Sequence, residues 1–296
     1  MKKLITLSLA CISSFAFSQS ISVKESHEKF STGSQPAVVT TIHENKLEDV
    51  MNEWKRVLKD YKNEKVKDKD NEVFGDNILV KEWGNNPVDF YTKFEEDKTA
   101  KTVKMAIAVD LGGAYLSSSN DKEKVKYVEN LARNFAIRMT KAPIEGAVKD
   151  AEKALTKLED AQKDLEKDKR NLQEDIINYK NKIAKAEKEV VIKDGEITKK
   201  KGEVSVQRKV VDASAGAVNE QAKSSQKIYD KLEDQLKDLE KDRKGLKEDI
   251  EDYNSKIKKA ETDIKKNDED QIKKKQEIEV QKKVVEDKKN KLNSVK

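Results

Sequence analysis

Apolar residues recur every three or four positions among lysines and acidic residues from about residue 143 to the end of the chain. This spacing places them on one face of an α-helix, and a seven-residue repeat of such positions is typical of a coiled coil. Branched residues fill heptad position a, namely Ile176, Ile183, Val190, Ile197, Val204 and Val211, then Ile250, Ile257, Ile264, Ile278, Val285 and Leu292. Position d holds Leu158, Leu165, Leu172, Tyr179 and Ala186, then Leu232, Leu239, Leu246, Tyr253 and Ala260. The pattern predicts long coiled-coil helices.

This helical region contains a tandem duplication. Residues 157–212 align without gaps with residues 231–286 at an offset of 74 residues, and 30 of the 56 aligned pairs are identical. Compositional bias alone would not keep so many identities in register, so the two stretches are copies of one another. These stretches lie within two coiled-coil repeats, which we call repeat 1 (residues 143–216) and repeat 2 (residues 217–296).

Two arrangements of these helices are compatible with the heptads. Branched residues at a with leucine at d favour a parallel two-stranded coil, so self-association as a parallel dimer is the preferred expectation. An offset of 74 residues is ten heptads plus four residues, so the frame slips near residues 213–217. Gly216 and its small neighbours permit either a hinge in a continuous helix or a reversal into an intrachain helical hairpin. The heptads continue across residues 194–195 and 267–268, which argues against turns there.

The later half of each repeat has polar residues at d. They are Lys193, Lys200 and Gln207 in repeat 1 and Asn267, Lys274 and Gln281 in repeat 2. Polar residues in a coiled-coil seam cost stability, so these stretches are expected to be looser and open to a partner.

The first twenty residues resemble a bacterial secretory signal. Two lysines precede an apolar or small stretch over residues 4–17, and Ala16 and Ser18 are small residues that suit a signal peptidase. We expect a signal peptide over residues 1–18, because the apolar stretch is shorter than the ~20 residues of a membrane span. Lipidation at Cys11 is an alternative. The periplasm is the expected destination, with secretion or a lipid anchor as alternatives.

Residues 19–142 have turn and strand signals and predict a small α+β domain. Strands are expected at residues 21–30, 37–42, 72–83, 89–95 and 102–110, and helices at residues 46–62 and 121–141. This order suggests an antiparallel sheet with two helices over one face. About 120 residues suffice for a core of their own.

Two small-residue motifs in this domain could support chemistry. Gly112 and Gly113 follow a predicted strand, but no phosphate-loop pattern surrounds them, so a turn is expected. The serines at 117–119 lack the surroundings of a nucleophile elbow, so helix capping is expected.

The tryptophans and a group of aspartates are the other candidates. Trp54 and Trp83 could line a pocket, but their spacing favours core packing. Asp68, Asp70 and Asp76 do not have the spacing of a calcium loop, which favours a solvated connection between helix and strand.

Composition narrows the function classes. Charged residues make up 40% of the chain and aromatic residues 5%, which is typical of long helices. The 62 basic and 57 acidic residues are interspersed, which argues against nucleic acid as a partner. Cys11 lies in the predicted signal, and His27 and His43 are too few for a histidine metal cluster.

These observations favour a non-enzymatic exported envelope protein that acts as a structural spacer or interaction scaffold for an unknown protein partner. We expect no catalytic, cofactor or metal site and no transmembrane segment in the mature chain. An uninterrupted rod of about 150 helical residues would extend ~220 Å. The alternatives are a periplasmic chaperone or holdase that uses the looser coiled-coil halves, and a small-ligand-binding α+β domain on a coiled-coil stalk.

Overall fold

The computed structural model describes residues 20–61, 65–216 and 220–296. The predicted signal peptide, including Cys11, lies outside these residues. The chain divides into two compact units. Unit 1 contains the described residues up to Thr156 together with Val280–Lys296, and unit 2 is Lys157–Glu279. None of the described helices is long and apolar enough to cross a membrane.

Unit 1 is built on a six-stranded antiparallel sheet with the strand order β1-β2-β6-β5-β4-β3. The strands are β1 Val23–Phe30, β2 Gly33–His43, β3 Lys65–Lys69, β4 Glu72–Ile78, β5 Val88–Asp97 and β6 Thr102–Asp110. Helix α1, Leu47–Lys59, follows β2, and the two long helices are α2, Lys122–Ala213, and α3, Glu220–Ser294. The predicted fold class, an α+β antiparallel sheet domain followed by long helices, is confirmed.

Strand β3 is missing from the sequence prediction because it contains a single apolar residue, Val66, among charged ones. Asp68 lies within β3, Asp70 in the turn after it, and Asp76 in β4, so these aspartates belong to a β-hairpin and not to the expected connection between helix and strand, although Asp68 and Asp70 are solvent-exposed as expected. The Asp68 carboxylate accepts from Lys55 Nζ at 3.0 Å.

Strand β4 is shorter than predicted. It ends at Ile78, after an irregular pairing with β5 between Gly75 and Ile78, and Asn77 has a positive φ of 54°. Residues Lys81–Trp83 then form a 3₁₀ turn instead of continuing the strand. The left-handed Asn77 interrupts the extended backbone and shifts the pairing, and the ladder ends one residue later with Ile78 opposite Val88.

The main core of unit 1 lies between one face of the sheet, α1 and the first turns of α2. Val50, Trp54 and Leu58 of α1 are fully buried there. Trp54 Nε1 donates to Thr92 Oγ1 at 2.8 Å, and its ring packs edge-on against Phe135 of α2 with centroids 5.0 Å apart. The prediction of core packing for Trp54 is confirmed.

The tip of the β1–β2 hairpin covers part of the opposite sheet face. Phe30, Ala37, Val39, Ala106 and Ala108 form a second, smaller buried cluster there. At the tip, the backbone N–H and the hydroxyl of Ser31 donate to the Glu72 carboxylate of β4. The Tyr115 hydroxyl donates to Thr32 Oγ1 at 3.1 Å. These bonds hold the tip over strands that are not its neighbours in the sheet.

Helix α2 does not end near residue 141 as predicted but continues through Pro143. Proline has no N–H, so the carbonyl four residues earlier, that of Met139, loses its usual helical partner. Asn45 Nδ2 donates to the Met139 carbonyl at 2.7 Å and to the His43 carbonyl at 2.8 Å. The connection between β2 and α1 thus supplies the hydrogen bond that the proline removes.

The end of α3 belongs to unit 1. Val295 is 2% exposed and joins the main core. The backbone N–H of Ile21 donates to the Lys296 carbonyl at 2.9 Å, and Lys291 Nζ lies 2.6 Å from Glu44 Oε1. Unit 1 is therefore completed by residues from both ends of the described chain.

Unit 2 is an intrachain pair of antiparallel helical segments. Helix α2 ends at Ala213, Gly216 adopts φ +92°, and α3 begins at Glu220. This is the reversal alternative, and it replaces the preferred parallel dimer because the seam residues are paired within one chain. Residues 194–195 and 267–268 lie inside helices, as the heptads predicted. The two repeats lie side by side in unit 2, and each segment is about 85 Å long at 1.5 Å per residue.

Candidate functional site

The glycine and serine motifs of unit 1 have structural roles. Gly112 and Gly113 have φ of +87° and +148°, and Asp110 Oδ1 accepts from both of their N–H groups at 2.9 and 3.3 Å. They form a turn, as predicted. The cap of α2 is Asp121, whose Oδ1 accepts from the Lys124 N–H at 3.1 Å, so the capping role predicted for the serines is wrong. That hydrogen bond lowers the pKa of the Asp121 carboxyl.

Trp83 packs between aromatic rings and also lines an open cleft of about 400 Å³ together with Glu82, Asp121, Glu123, Lys124 and Tyr127. Its ring stacks near Phe90 and meets Tyr127 edge-on, with centroids 6.5 and 5.4 Å away. The Lys124 ammonium lies 5.7 Å from its centroid. Trp83 is partly exposed, so the predicted packing role is confirmed only in part, and the pocket-lining alternative also describes its position.

The histidines lie apart from any metal-ligand group. His27 is in β1 and His43 in β2, and the described part of the chain has no cluster of three or more His, Cys, Asp or Glu side chains that could hold a metal ion. Burial lowers the pKa of His43, opposed by Glu44 and assisted by Lys291. The hydrogen bond from Lys291 lowers the pKa of the Glu44 carboxyl.

A groove of about 540 Å³ lies between the β1–β2 tip and the β3–β4 hairpin. Its aromatic lining is Phe30, Phe74 and Tyr91, and its lysines are Lys29, Lys67, Lys69 and Lys93. Asp68, Asp70 and Glu72 also line it, so its charges are mixed. The volume is within the range of ligand pockets, but no group of polar side chains converges on one point.

The seam of unit 2 is centred on two tyrosines. The rings of Tyr179 and Tyr253 stack with centroids 5.9 Å apart, and these residues occupy the same position of repeats 1 and 2. Lys182 and Lys256, which are also equivalent, each place Nζ between 5.4 and 5.9 Å from both ring centroids. Exchanging the two repeats therefore leaves this cluster unchanged.

The ion pairs around the tyrosines are also equivalent when the two repeats are exchanged. Lys169 pairs with Asp268 at 2.7 Å, and the equivalent residues Arg243 and Asp194 pair at 3.0 Å. The seam of unit 2 thus has a local two-fold pseudosymmetry whose axis passes between the tyrosines. A two-fold axis between like segments is the symmetry of an antiparallel homodimer. Here, the duplication has placed both partners in one chain.

Four of the five polar d residues of unit 2 have a partner on the facing helix, and the fifth, Lys274, pairs with Glu277 of its own helix at 2.6 Å. Asn267 Nδ2 donates to the Leu165 carbonyl at 3.0 Å, Gln207 Nε2 to the Ser225 carbonyl at 3.0 Å, and Lys193 pairs with Asp242 at 3.4 Å. Because the helices are antiparallel, the polar half of one repeat meets the more apolar half of the other. The positions expected to be open to a partner are therefore occupied within the chain.

One buried polar cluster breaks the pseudosymmetry. Gln162 is 7% exposed, and its Nε2 donates to Gln271 Oε1 at 3.3 Å and to Glu166 Oε1 at 2.9 Å. Its Oε1 is buried without a hydrogen-bond partner among the described residues. The equivalent positions of the other repeat hold the apolar residues Leu236 and Ile197.

The outward face of α2 in unit 2 has a row of apolar side chains. Ile177, Val191, Ile192 and Val206 are 58%, 72%, 59% and 66% exposed, and Ala184 is also exposed. We call these five residues the outer row. They lie outside positions a and d, so the heptad pattern assigned them no role. Their exposure and the comparison of the two repeats are the signals that identify them.

Repeat 2 has charged residues at four of the five equivalent positions. Glu251, Lys258, Lys265 and Lys266 stand where Ile177, Ala184, Val191 and Ile192 stand in repeat 1. The repeats thus share most of their seam and differ at these four outward positions. Comparison of the chain with known protein families finds no matching family, and comparison with characterised proteins finds no significant sequence match.

Proposed function

We propose that the protein is a non-enzymatic, exported scaffold of the bacterial envelope that presents the outward face of its helical hairpin to a protein partner. The observation that supports this most is the outer row. A solvent-exposed helix normally has one apolar stripe, and α2 of unit 2 has a second one that points away from the seam. Apolar residues gathered in a row on a surface are typical of a protein-interaction site.

The difference between the repeats supports an interaction role over chance exposure. The two repeats are copies of one another and share most of their seam residues. Lysine and glutamate at the equivalent positions of repeat 2 are compatible with the same helix, so folding does not require isoleucine and valine in repeat 1. The apolar side chains of the outer row are therefore best explained by a contact outside unit 2.

Export and the absence of catalysis are part of the proposal. Export is supported by the signal-like pattern of residues 1–18, and it predicts that the envelope fraction contains a chain beginning at Gln19. A scaffold role is supported by the structural use of the residues that were candidates for chemistry, since Trp54, Gly112 and Gly113 serve in packing and a turn.

The test is photo-crosslinking in living cells with a photoreactive amino acid at one site. A probe at Val191 should give specific crosslinked protein adducts, and a probe at Lys265, the equivalent position of repeat 2, should give at least tenfold fewer. The two positions are equivalent in the two repeats, and each directly follows a seam residue, Val190 in α2 and Ile264 in α3, so the difference isolates the outward face. Equal yields at both positions, or no adduct at Val191, would contradict the proposal.

A further inference from the structure

We infer that the pair of Gln162 and Gln271 determines which helices pair in unit 2. The pair makes repeat 1 bind repeat 2 and prevents either repeat from pairing with its own copy in another chain. We call these two residues the glutamine layer. Their role belongs to the seam of unit 2 and is independent of the outer row and of any partner on it.

The rest of the seam fits a like repeat as well as an unlike one. In a pairing of two copies of repeat 1, Tyr179 would meet a second Tyr179 where it now meets Tyr253. Lys169 would meet Asp194 of the second chain where it now meets Asp268. Each repeat is thus complementary to itself, and a chain with two such segments could link to one neighbour through repeat 1 and to another through repeat 2. The hairpin therefore needs a feature that excludes like pairing.

In the hairpin, the glutamine layer matches polar with polar and apolar with apolar. Gln162 Nε2 donates to Gln271 Oε1 across the seam at 3.3 Å. The pseudosymmetry maps this contact onto the pair of Ile197 and Leu236, whose side chains are aliphatic. Each glutamine thus faces a glutamine, and the equivalent aliphatic side chains face each other.

Pairing of like repeats would break both matches. Two copies of repeat 1 would place Gln162 against Ile197 twice, and two copies of repeat 2 would place Gln271 against Leu236 twice. The hydrogen bond between the two glutamines would be lost, and Gln271 Oε1 would face an aliphatic side chain that has no donor. A polar group that loses its partner in a seam costs free energy, so like pairing is disfavoured.

Both glutamines occupy heptad position a, where a single polar residue can fix partner and register at a cost in stability. Each amide is also held by its own helix. Gln162 Nε2 donates to Glu166 Oε1 at 2.9 Å, and Gln271 Nε2 donates to Asn267 Oδ1 at 2.7 Å. These bonds orient the two amides toward one another, which a determinant of pairing requires.

The test moves the glutamines along the seam without changing the composition of the chain. The variant Q162L/L236Q places both glutamines in repeat 2. Its hairpin contains two mismatches of glutamine with an aliphatic residue, whereas pairing of like repeats contains none. Glu240 stands where Glu166 stands in repeat 1, so the glutamine introduced at position 236 has the same neighbour on its own helix.

The fourfold variant Q162L/I197Q/L236Q/Q271I is the matched control. It moves the glutamine layer to the other side of the two-fold axis and restores both matches in the hairpin. Light scattering measures the mass of wild type and both variants at about 10 to 100 μM, below the roughly millimolar effective concentration that a short connection gives the hairpin. Q162L/L236Q should have at least twice the mass of wild type, and the fourfold variant should return to the wild-type mass.

A single cysteine identifies which segments meet. Tyr179→Cys is added to each of the three chains, all beginning at Gln19 and therefore lacking Cys11. Pairing of two copies of repeat 1 brings the two positions 179 together at the axis, whereas the hairpin sets position 179 against Tyr253. In a glutathione redox buffer, Q162L/L236Q should form at least about tenfold more disulfide-linked dimer than either other chain.

Equal masses and equal disulfide yields for the three chains would overturn the inference. A Q162L/L236Q variant that loses helicity but stays monomeric would also overturn it, because the glutamine layer would then contribute stability and not specificity. A fourfold variant that remains associated would show that the match of polar with polar does not decide the pairing, with the same consequence.

Discussion

At the scale of single residues, the pair of Asn45 and Pro143 explains how α2 continues past a proline. The Met139 carbonyl, buried beside Thr140, accepts from Asn45 Nδ2 in place of the missing N–H. We predict that Asn45→Ala lowers the free energy of unfolding by about 1–2 kcal/mol, since the carbonyl then has no partner. Urea unfolding followed by circular dichroism measures this loss.

A double-mutant cycle separates this cause from a general loss of packing. Pro143→Ala restores an N–H for Met139, so Asn45→Ala should cost less in that background, with a coupling of about 0.5–1 kcal/mol. Asn45→Asp serves as a control of similar size that cannot donate, and it should destabilise like alanine. Additive effects of the two substitutions would contradict the explanation.

The residues that sequence reasoning placed correctly are those whose role is local. The spacing of Trp54 in an amphipathic helix and the φ demand of Gly112 and Gly113 depend on near neighbours. The sequence favours the serines at 117–119 as the cap of α2, whereas Asp121 is the actual cap. Serine and aspartate are both good capping residues and these lie within a few positions of one another, so the sequence does not distinguish them. The role of Asn45 depends on a partner 94 residues away, which no local pattern indicates.

At the scale of elements, the heptads predicted the long helices but not their pairing. The a and d residues are the same for a parallel dimer and an antiparallel hairpin, so the pattern alone does not distinguish them. The hairpin is accommodated by the left-handed Gly216 and stabilised by bonds such as Asn267 to the Leu165 carbonyl. A polar d residue weakens a parallel seam, whereas here it meets a hydrogen-bonding partner across an antiparallel one.

The buried pair of Gln162 and Gln271 leads to a prediction at this scale. The equivalent positions of the other repeat already hold leucine and isoleucine, so Q162L/Q271I should raise the free energy of unfolding of unit 2 by about 1 kcal/mol. The double change removes a buried oxygen that has no partner, and the loss of the 2.7 Å hydrogen bond from Gln271 Nε2 to Asn267 Oδ1 offsets part of this gain. Thermal unfolding followed at 222 nm checks this gain.

The single variants provide the control. Gln162→Leu alone removes the unpaired oxygen of Gln162 but also the donor to Gln271 Oε1, so one amide oxygen is still unpaired and the variant should be neutral or destabilising. The coupling between the two substitutions should therefore be stabilising by at least about 0.5 kcal/mol. A double variant less stable than wild type would show that the polar cluster contributes net stability.

At the scale of the whole molecule, the chain leaves unit 1 near residue 156, forms unit 2 and returns to unit 1 at residue 280. The sequence indicated a continuous coiled coil to the last residue, because the final heptads resemble the earlier ones. What it did not show is that Val295 enters the core of unit 1 and that Lys291 binds Glu44. Both contacts join residues more than 200 positions apart, so only the folded chain reveals them.

This return predicts that unit 2 can be removed from the middle of the chain but not together with the end. Replacing Lys157–Glu279 by a flexible linker of about eight residues keeps both helical segments of unit 1 and lies within the usual length of helix–helix connections. Gln281 Nε2 then still donates to the Ala151 carbonyl, a bond of 2.9 Å within unit 1. The shortened protein should unfold cooperatively in urea and retain the near-ultraviolet signal of buried Trp54.

The matched comparison is a chain that stops before Lys231. This chain keeps residues 20–156 but lacks residues 231–296, so it has neither Val295 nor the Lys291–Glu44 pair. We expect it to be less stable than the shortened protein by about 2–4 kcal/mol, since buried apolar surface at the end of α3 is lost. If the two proteins unfold at the same urea concentration, residues 280–296 contribute no stability to unit 1, and the sheet with α1 and the start of α2 is the complete folding unit.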